Sequence, residues 1–266
     1  MQLLKKFKPR TNGLRHQINL KKFLFSKNNR ILRCGIKNFQ LFNGKSSKTG
    51  QITIWHKGGG KKKIFRKIDF TNTGYNSIVL SIMYDPFRKT FVNLNFDLER
   101  CQFFRNLSTS NLFPGTLICS NIHLKNLMLG YRLKLSDIQT GAIISNISCE
   151  KNKIQFIRSA GTFGLLIQKD LNHVIVRLPS SKFLRLNIGY SFGTLGENSN
   201  SNQKFVNLGK AGSNRLIGKR PITRGVAMNP CDHPHGGRTS GGRHSVSPWA
   251  LPTKTSYKKK RKKKKN

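Results

Sequence analysis

Asp232, His233 and His235 stand within the stretch RGVAMNPCDHPHGG (224–237), and His244 follows shortly after. Three kinds of chemistry use such residues. The first is a metal set of Asp232, His233, His235 and His244, which needs side chains converging tetrahedrally from a rigid scaffold. Here Pro234 stiffens the His-x-His pair, a Gly-rich turn separates it from His244, and neither a Cys pair nor a helix supplies convergence. The second is a general base, His233, oriented by the Asp232 carboxylate. Neighbours on an extended chain point away from one another, so the dyad has poor geometry for proton transfer. The chain also lacks spare acids for general acid work and contains no G-x-S-x-G. No catalytic residue and no metal ligand is therefore assigned.

The third kind is contact with a polyanion. Arg224, Arg238 and Arg243 offer planar forks for phosphate. Gly225, Gly236, Gly237, Gly241 and Gly242 remove side-chain bulk where the main chain touches RNA. His233, His235, His244 and Trp249 can stack or donate hydrogen bonds. On this reading the loop cannot fold on itself and is ordered by the RNA.

The charge of the whole chain favours the third kind. Fifty Lys and Arg against nine Asp and Glu give +41 over 266 residues. Self-repulsion at that charge opposes compaction unless a polyanion binds. Residues 1–68 hold nineteen basic side chains and no acid; residues 201–266 hold seventeen against the single Asp232. The middle, 69–200, is nearly balanced, with fourteen basic and eight acidic. Two cationic arms thus flank an ordinary protein surface, and arms of this kind fold as they bind. With 36% hydrophobic residues a real core is available. The five cysteines (34, 101, 119, 149, 231) are scattered and odd in number, which indicates thiols in a reducing compartment. No apolar run approaches the roughly 18 residues of a membrane span.

The elements that must position these residues show a period of two. KIDF (67–70), NSIVLSIMY (76–84) and TFVNLNFDL (90–98) read as strands, with YDPFRK turning between the latter two. KIQFIRS, TFGLLIQ, HVIVRL and KFLRLNI follow, the last two joined by the hairpin loop PSSK. Short strands at about ten-residue spacing with few helical windows predict an all-β fold of small barrels, with a boundary near Gly130. Residues 1–50 read as an extended arm, the pattern dissolves after about residue 200, and KKKRKKKK (258–265) stays unfolded until neutralised.

Three further motifs have two readings each. NGKSSKTG (43–50) contains G-K-S, but Phe39 stands where a P-loop needs its first Gly, so no nucleotide site is assigned. In HKGGGKKK (56–63), Lys57, Gly58, Gly59 and Gly60 form either a flexible hinge or a backbone that closely approaches a surface. In IRSAGTFG (157–164), Arg158, Ser159 and Gly161 form either a structural tight turn or an exposed set of donors.

These residues resemble the universal second protein of the large ribosomal subunit, the L-two family. KPRTNGLRH, HKGGGKKKIFRKIDF, YDPFR, RSAGTF, the long block LGKAGSNRLIGKRPITRGVAMNPCDHPHGG and RTSGGRHSVSPW carry the likeness almost end to end. The resemblance implies an OB-like barrel followed by an SH3-like barrel with long basic extensions. On it the chain divides into a basic extension (1–60), an OB-like RNA-binding barrel (61–129), an SH3-like barrel (130–200) and a basic Gly/Pro-rich extension with a polylysine tail (201–266). It adds Lys61, Arg66, Lys210, Arg215, Lys219, Arg220, Asn229 and Asp232 to the RNA-contact set. It also implies that the C-terminal extension lies near the peptidyl transferase region, where the family's counterpart of His233 has been considered for peptide-bond chemistry. The dyad argument favours positioning of RNA instead.

Two departures limit the transfer. HPHGGR lacks three residues, including an acid, of the family's H-P-H-G-G-G-E-G-R, so the loop tip is not carried over. Between Leu98 and Leu117 the likeness is faint.

The function implied is a structural, non-enzymatic constituent of a mitochondrial large ribosomal subunit that supports its peptidyl transferase region and subunit association. Its partners would be large-subunit RNA, other ribosomal proteins and the small subunit across the interface. No cofactor is expected beyond structural Mg2+ accompanying the RNA. Five Ala against 18 Phe suggest an AT-rich genome, and only seven residues precede the first motif. A mitochondrially encoded protein is the leading expectation, with a plastid or bacterial cytoplasm as the alternative. A DNA-packaging protein explains the charge but not the elaborate 225–237 loop; a metal-assisted hydrolase on Asp232, His233 and His235 is the third class.

Overall fold

The computed structural model describes residues 4–21, 36–38, 44–70, 76–119, 128–150, 153–238 and 244–253. Cys34, Phe39, Gly241, Gly242, Arg243 and the lysine tail lie outside them. The chain divides into two compact units, Met1–Gln40 with Lys61–Ser213, and Leu41–Gly60 with Asn214–Asn266.

The larger unit is built on antiparallel sheets. Strands β1 (Leu4–Lys6) and β2 (Ile18–Leu20) pair as a ribbon, and Ile18 exchanges both main-chain hydrogen bonds with Asn207, at 2.9 and 3.0 Å. Strand β3 (Ile36–Asn38) pairs with β4 (Lys63–Phe65). Strands β5 (Ser77–Met83), β6 (Val92–Asp97), β7 (Phe103–Leu107) and β8 (Leu117–Ile118) form a four-stranded sheet in the order β7-β6-β5-β8. Alternation in β5 buries Ser77, Val79, Ser81 and Met83 and leaves Leu80 exposed, as period two requires. Met83, Val92, Leu94 and Leu107 pack with Ile68 into one core cluster.

The expected strand at 67–70 does not form. Ile68 turns into the core, and the Asp69 amide donates to the Arg105 carbonyl at 2.7 Å, so this stretch braces β7 without joining the sheet.

The second sheet has seven strands: β9 (Arg132–Lys134), β10 (Ile143–Glu150), β11 (Lys153–Phe156), β12 (Gly164–Lys169), β13 (His173–Arg177), β14 (Phe183–Asn187) and β15 (Phe192–Leu195). Their order is β14-β13-β12-β10-β15-β9, with β11 also on β10. The PSSK loop closes as anticipated: the Leu178 amide donates to the Lys182 carbonyl at 2.8 Å, and Ser181 adopts φ 65°. Leu133, Ile144, Ile147, Leu166, Val174 and Val176 are sealed from solvent; each contributes about 1.5–3 kcal/mol by burial. They form one cluster with Val79 and Ile118 of the first sheet and with Cys119 just beyond it. The architecture is all-β, an OB-like barrel followed by an SH3-like barrel. One α-helix, α1 (Ala211–Ile217), and two 3-10 turns (Ser201–Phe205, Gly225–Ala227) complete the helical content of the described residues.

A buried cation sits where the two sheets meet. Arg132, 7% exposed, donates to the Ser148 hydroxyl at 3.0 Å and lines a cavity of about 20 Å³ with Asp69, Asn106 and Asn146. Burial lowers its guanidinium to about 10, and Asp69 pulls the other way.

In the smaller unit, Gly44–Ile54 is a hairpin. The Ser46 amide donates to the Gln51 carbonyl, and Gly50 to Ser46, so G-K-S lies in a β-turn region with no following helix to cradle phosphate. None of the four described cysteines is in a disulfide. No helix among the described residues is long and apolar enough to cross a membrane.

Candidate nucleic-acid interface

Two turns distant in sequence meet in the larger unit. The first, YDPFRK between β5 and β6, is organised by Asp85, whose side chain is fully buried. Its carboxylate accepts from the Phe87 amide at 2.9 Å and from Arg88 Nη1 at 2.8 Å, and Arg66 Nη1 lies 3.8 Å away. The Arg88 guanidinium also sits over the Phe65 ring, 5.4 Å from its centroid, and Phe65 meets Phe87 edge-on. The second turn is Arg158–Gly161. Thr90 Oγ1 donates to the Arg158 carbonyl at 2.8 Å and ties the two together.

The segment Asn198–Asn200 clamps both turns. Asn198 Nδ2 donates to the Ile157 carbonyl, Ser199 Oγ accepts from the Phe91 amide, and Asn200 Nδ2 donates to the Lys89 carbonyl. Asn200 holds φ 67°, a left-handed conformation for which Asn is suited. The result is a cavity of about 380 Å³ whose wall includes Phe87, Arg88, Lys89, Arg158, Ser159 and Ala160. Basic forks beside aromatic faces fit phosphate and an unstacked base.

Sequence reasoning singled out Arg158 and Ser159 but missed Arg88, Lys89 and Phe87. The signal was the basic pair directly after Asp-Pro-Phe, which was read only as a turn. Arg66 is drawn inward: its side chain is 14% exposed and committed to Asp85. Gly161 has a structural task, since φ is +65°, a Cβ there would lie 2.6 Å from Ser201 Cα, and its amide donates to Ser199. Of the two readings of this motif, Gly161 follows the structural one while its neighbours line the cavity. Lys61 is exposed; Lys210 is exposed too, with its stem against Gly13.

The smaller unit brings together the glycine-lysine and C-terminal motifs. Lys57 bridges Lys219, the Gly58 amide donates to Gly218, and the Arg220 amide donates to His56. A Cβ on Gly60 would meet the Gly218 amide nitrogen and the Leu216 carbonyl oxygen at 3.0 Å, whereas Gly59 faces open space. Gly60 thus permits the chain to approach itself. Arg215, Lys219, Arg220 and Arg224 are all exposed.

The 224–238 loop corrects the expectation that it cannot fold on itself. Asn229 O accepts from the Asp232 and His233 amides, Gly236 donates to His233, and Gly237 donates to Met228. His233 is 8% exposed, and its Nδ1 accepts from the His235 amide at 3.0 Å. Gly225 is required by that ring, because a Cβ would stand 2.6 Å from Nδ1. Gly236 likewise lies against the Asn229 carbonyl. These two glycines therefore serve contacts within the loop. The imidazoles of His233 and His235 lie 4.7 Å apart, and His235 Nε2 is 2.8 Å from the His244 carbonyl oxygen. Nδ1 of His233 is engaged by backbone and not by Asp232, which is exposed. Among the described residues no three His, Cys, Asp or Glu converge as a metal set. Trp249 is 64% exposed and packs on Trp55; Arg243 lies outside the described residues.

The family models account for most of the chain. Residues 36–120 match the model for Ribosomal Proteins L2, RNA binding N-terminal domain, and residues 128–250 match Ribosomal Proteins L2, C-terminal domain. The chain belongs to the ribosomal protein L2 family. It is 39% identical over 259 residues to Large ribosomal subunit protein uL2m of Reclinomonas americana, covering 95% of this chain and 92% of that protein. It is 40% identical over 257 residues to Large ribosomal subunit protein uL2 of Rickettsia felis, covering 94% and 92% respectively. In this L2 chain, the cavity between the two turns falls across both matched regions.

Proposed function

We propose that this L2 chain is a structural, non-enzymatic constituent of a mitochondrial large ribosomal subunit. It holds ribosomal RNA on the cavity walled by Arg88, Lys89, Arg158 and Ser159 and along the exposed basic residues of its extensions. The observation that carries the reading is the meeting of the YDPFRK and RSAG turns, fixed by the Thr90–Arg158 hydrogen bond. That arrangement sets cationic forks at one place on a rigid β scaffold, which is what register on a folded RNA requires. The smaller unit offers Lys57, Lys219, Arg220 and Arg224 as further phosphate contacts. His233 keeps the 224–238 loop in shape, so its role is to position RNA near the peptidyl transferase region. The surface away from the RNA is available to other ribosomal proteins and to the small subunit.

Mitochondrial placement is supported by the uL2m relative and by the Phe-rich, Ala-poor composition. The test is gradient sedimentation of lysates from purified mitochondria. The protein should travel with large subunits and leave that fraction after ribonuclease treatment. Sedimentation unchanged by ribonuclease but altered by deoxyribonuclease would instead mark a DNA-packaging protein.

A further inference from the structure

The chain contains two tryptophans, Trp55 and Trp249, and the fold brings them together from distant parts of the sequence. Their ring centroids are 5.6 Å apart with an interplanar angle of 47°. Trp55 is 51% exposed and Trp249 64% exposed. Indoles usually contribute by burial, so a pair this open is using its faces for something other than a core.

Both are held on hydrogen-bonded backbone. Trp249 occupies the third position of the turn Ser247-Pro248-Trp249-Ala250, closed by the Ala250 amide donating to Ser247 at 3.0 Å. Proline in second position favours this turn. Val246 bridges Pro252, and the Ser245 and Thr253 hydroxyls lie 2.6 Å apart, so the turn tips a short ribbon. Trp55 immediately follows the Gly44–Ile54 hairpin and precedes His56 and Lys57, which are paired to Arg220 and Lys219. The tilt keeps the rings from stacking face to face, and Ile52, Ile54 and Leu251, near them in sequence, are also exposed at 46%, 51% and 55%.

The setting selects the occupant. Residues 41–60 and 214–266 carry eighteen Lys and Arg against the single Asp232. Exposed aromatic rings on a segment of such cationic composition fit a planar ring attached to an anionic backbone. We infer that Trp55 and Trp249 form a stacking platform for an unstacked nucleobase of single-stranded RNA, with the exposed Lys219 and Arg220 beside it for its phosphates. The inference rests on the RNA-binding reading above and adds the ligand chemistry of one place within it.

Because these are the only tryptophans, emission excited beyond the absorption of the five tyrosines reports on this pair alone. The experiment titrates the purified protein with a fluorescently end-labelled single-stranded oligoadenylate, and in parallel with inorganic polyphosphate, which has charge but no bases. Anisotropy of the label measures binding while tryptophan emission is read separately. The platform predicts quenching by the oligonucleotide and not by polyphosphate. Trp249→Ala and Trp55→Ala should each weaken the oligonucleotide by about 5- to 150-fold. Trp249→Phe should retain most of the affinity, because it preserves a stacking face; loss equal to that of Trp249→Ala would overturn the proposal. Binding with unchanged emission would also overturn it and leave the RNA-binding reading standing, with a protein partner then the better occupant. Absence of any oligonucleotide or polyphosphate binding would defeat the underlying reading itself.

Discussion

Asp85→Ala should destabilise the larger unit by about 3 kcal/mol. The carboxylate is fully buried, whereas Arg66 and Arg88 are 14% and 25% exposed. Removing one member of a buried pair costs about 3–5 kcal/mol because the partner is left uncompensated. Water reaches Arg88, which places the loss at the lower end. The Phe87 amide also loses its 2.9 Å acceptor, a term of about 1 kcal/mol that overlaps the first. At 2–4 °C per kcal/mol for a unit of this size, the midpoint should fall by about 6–12 °C. Asp85→Asn keeps an oxygen for Phe87 but no charge, so a smaller loss of about 2 kcal/mol is expected. Far-UV circular dichroism during urea and thermal unfolding is the suitable probe, since both tryptophans belong to the smaller unit. RNA affinity should fall as well, because Arg88 loses its orienting partner. A change under about 0.5 kcal/mol, typical of surface substitutions, would refute the claim that this carboxylate organises the turn.

Other substitutions separate the remaining roles. Arg132→Met should be neutral or stabilising in urea melts, since a buried charge replaced by an apolar side chain of similar volume is often neutral or better; Arg132→Ala should destabilise by leaving a void. The depressed Arg132 guanidinium adds a pH signature: between about 10 and its unfolded value the unfolded chain binds more protons, so this residue's contribution to stability rises with pH there and is flat below. Gly225→Ala should cost about 1–3 kcal/mol by driving a methyl into the His233 ring, seen as faster hydrogen exchange at the His235 amide. Arg158→Ala should lower the salt slope of RNA affinity by about 0.7–0.9, the value for one phosphate, and an unchanged slope would remove Arg158 from the interface.

The strands were legible where one face alone is buried. In β13, Val174 and Val176 alternate with exposed or half-exposed residues, and the pattern showed it. It misled at KIDF, where the same alternation belongs to a loop that puts Ile68 into the core. Strand β10 was hidden for the opposite reason. Asn146 takes φ 51° and the pairing shifts between Ser145 and Ser148 and again beyond Ile147, so its register cannot be read as a simple period. The cavity was half legible: Arg158 stood out by type, but its meeting with Lys89 depends on Asn198–Asn200, far along the chain.

The glycines expose the deeper limit. A glycine announces that bulk is forbidden, and composition alone does not say what occupies the space. In so basic a chain RNA was the natural occupant, yet at Gly225 it is an imidazole, at Gly236 a carbonyl, and at Gly60 the backbone of Leu216–Gly218. Gly59, with φ +65° and no atom within 4 Å of a built Cβ, is open. The same triplet therefore contains one glycine that serves folding and another that leaves the outer surface bare. The division has a physical reason: a chain this cationic must hold its own loops together before its phosphate contacts can have fixed positions, and close backbone packing achieves that without adding charge. On the proposed RNA-binding role, affinity would come from side chains that remain outside, while the residues that look most specialised for contact mainly fix where those side chains stand.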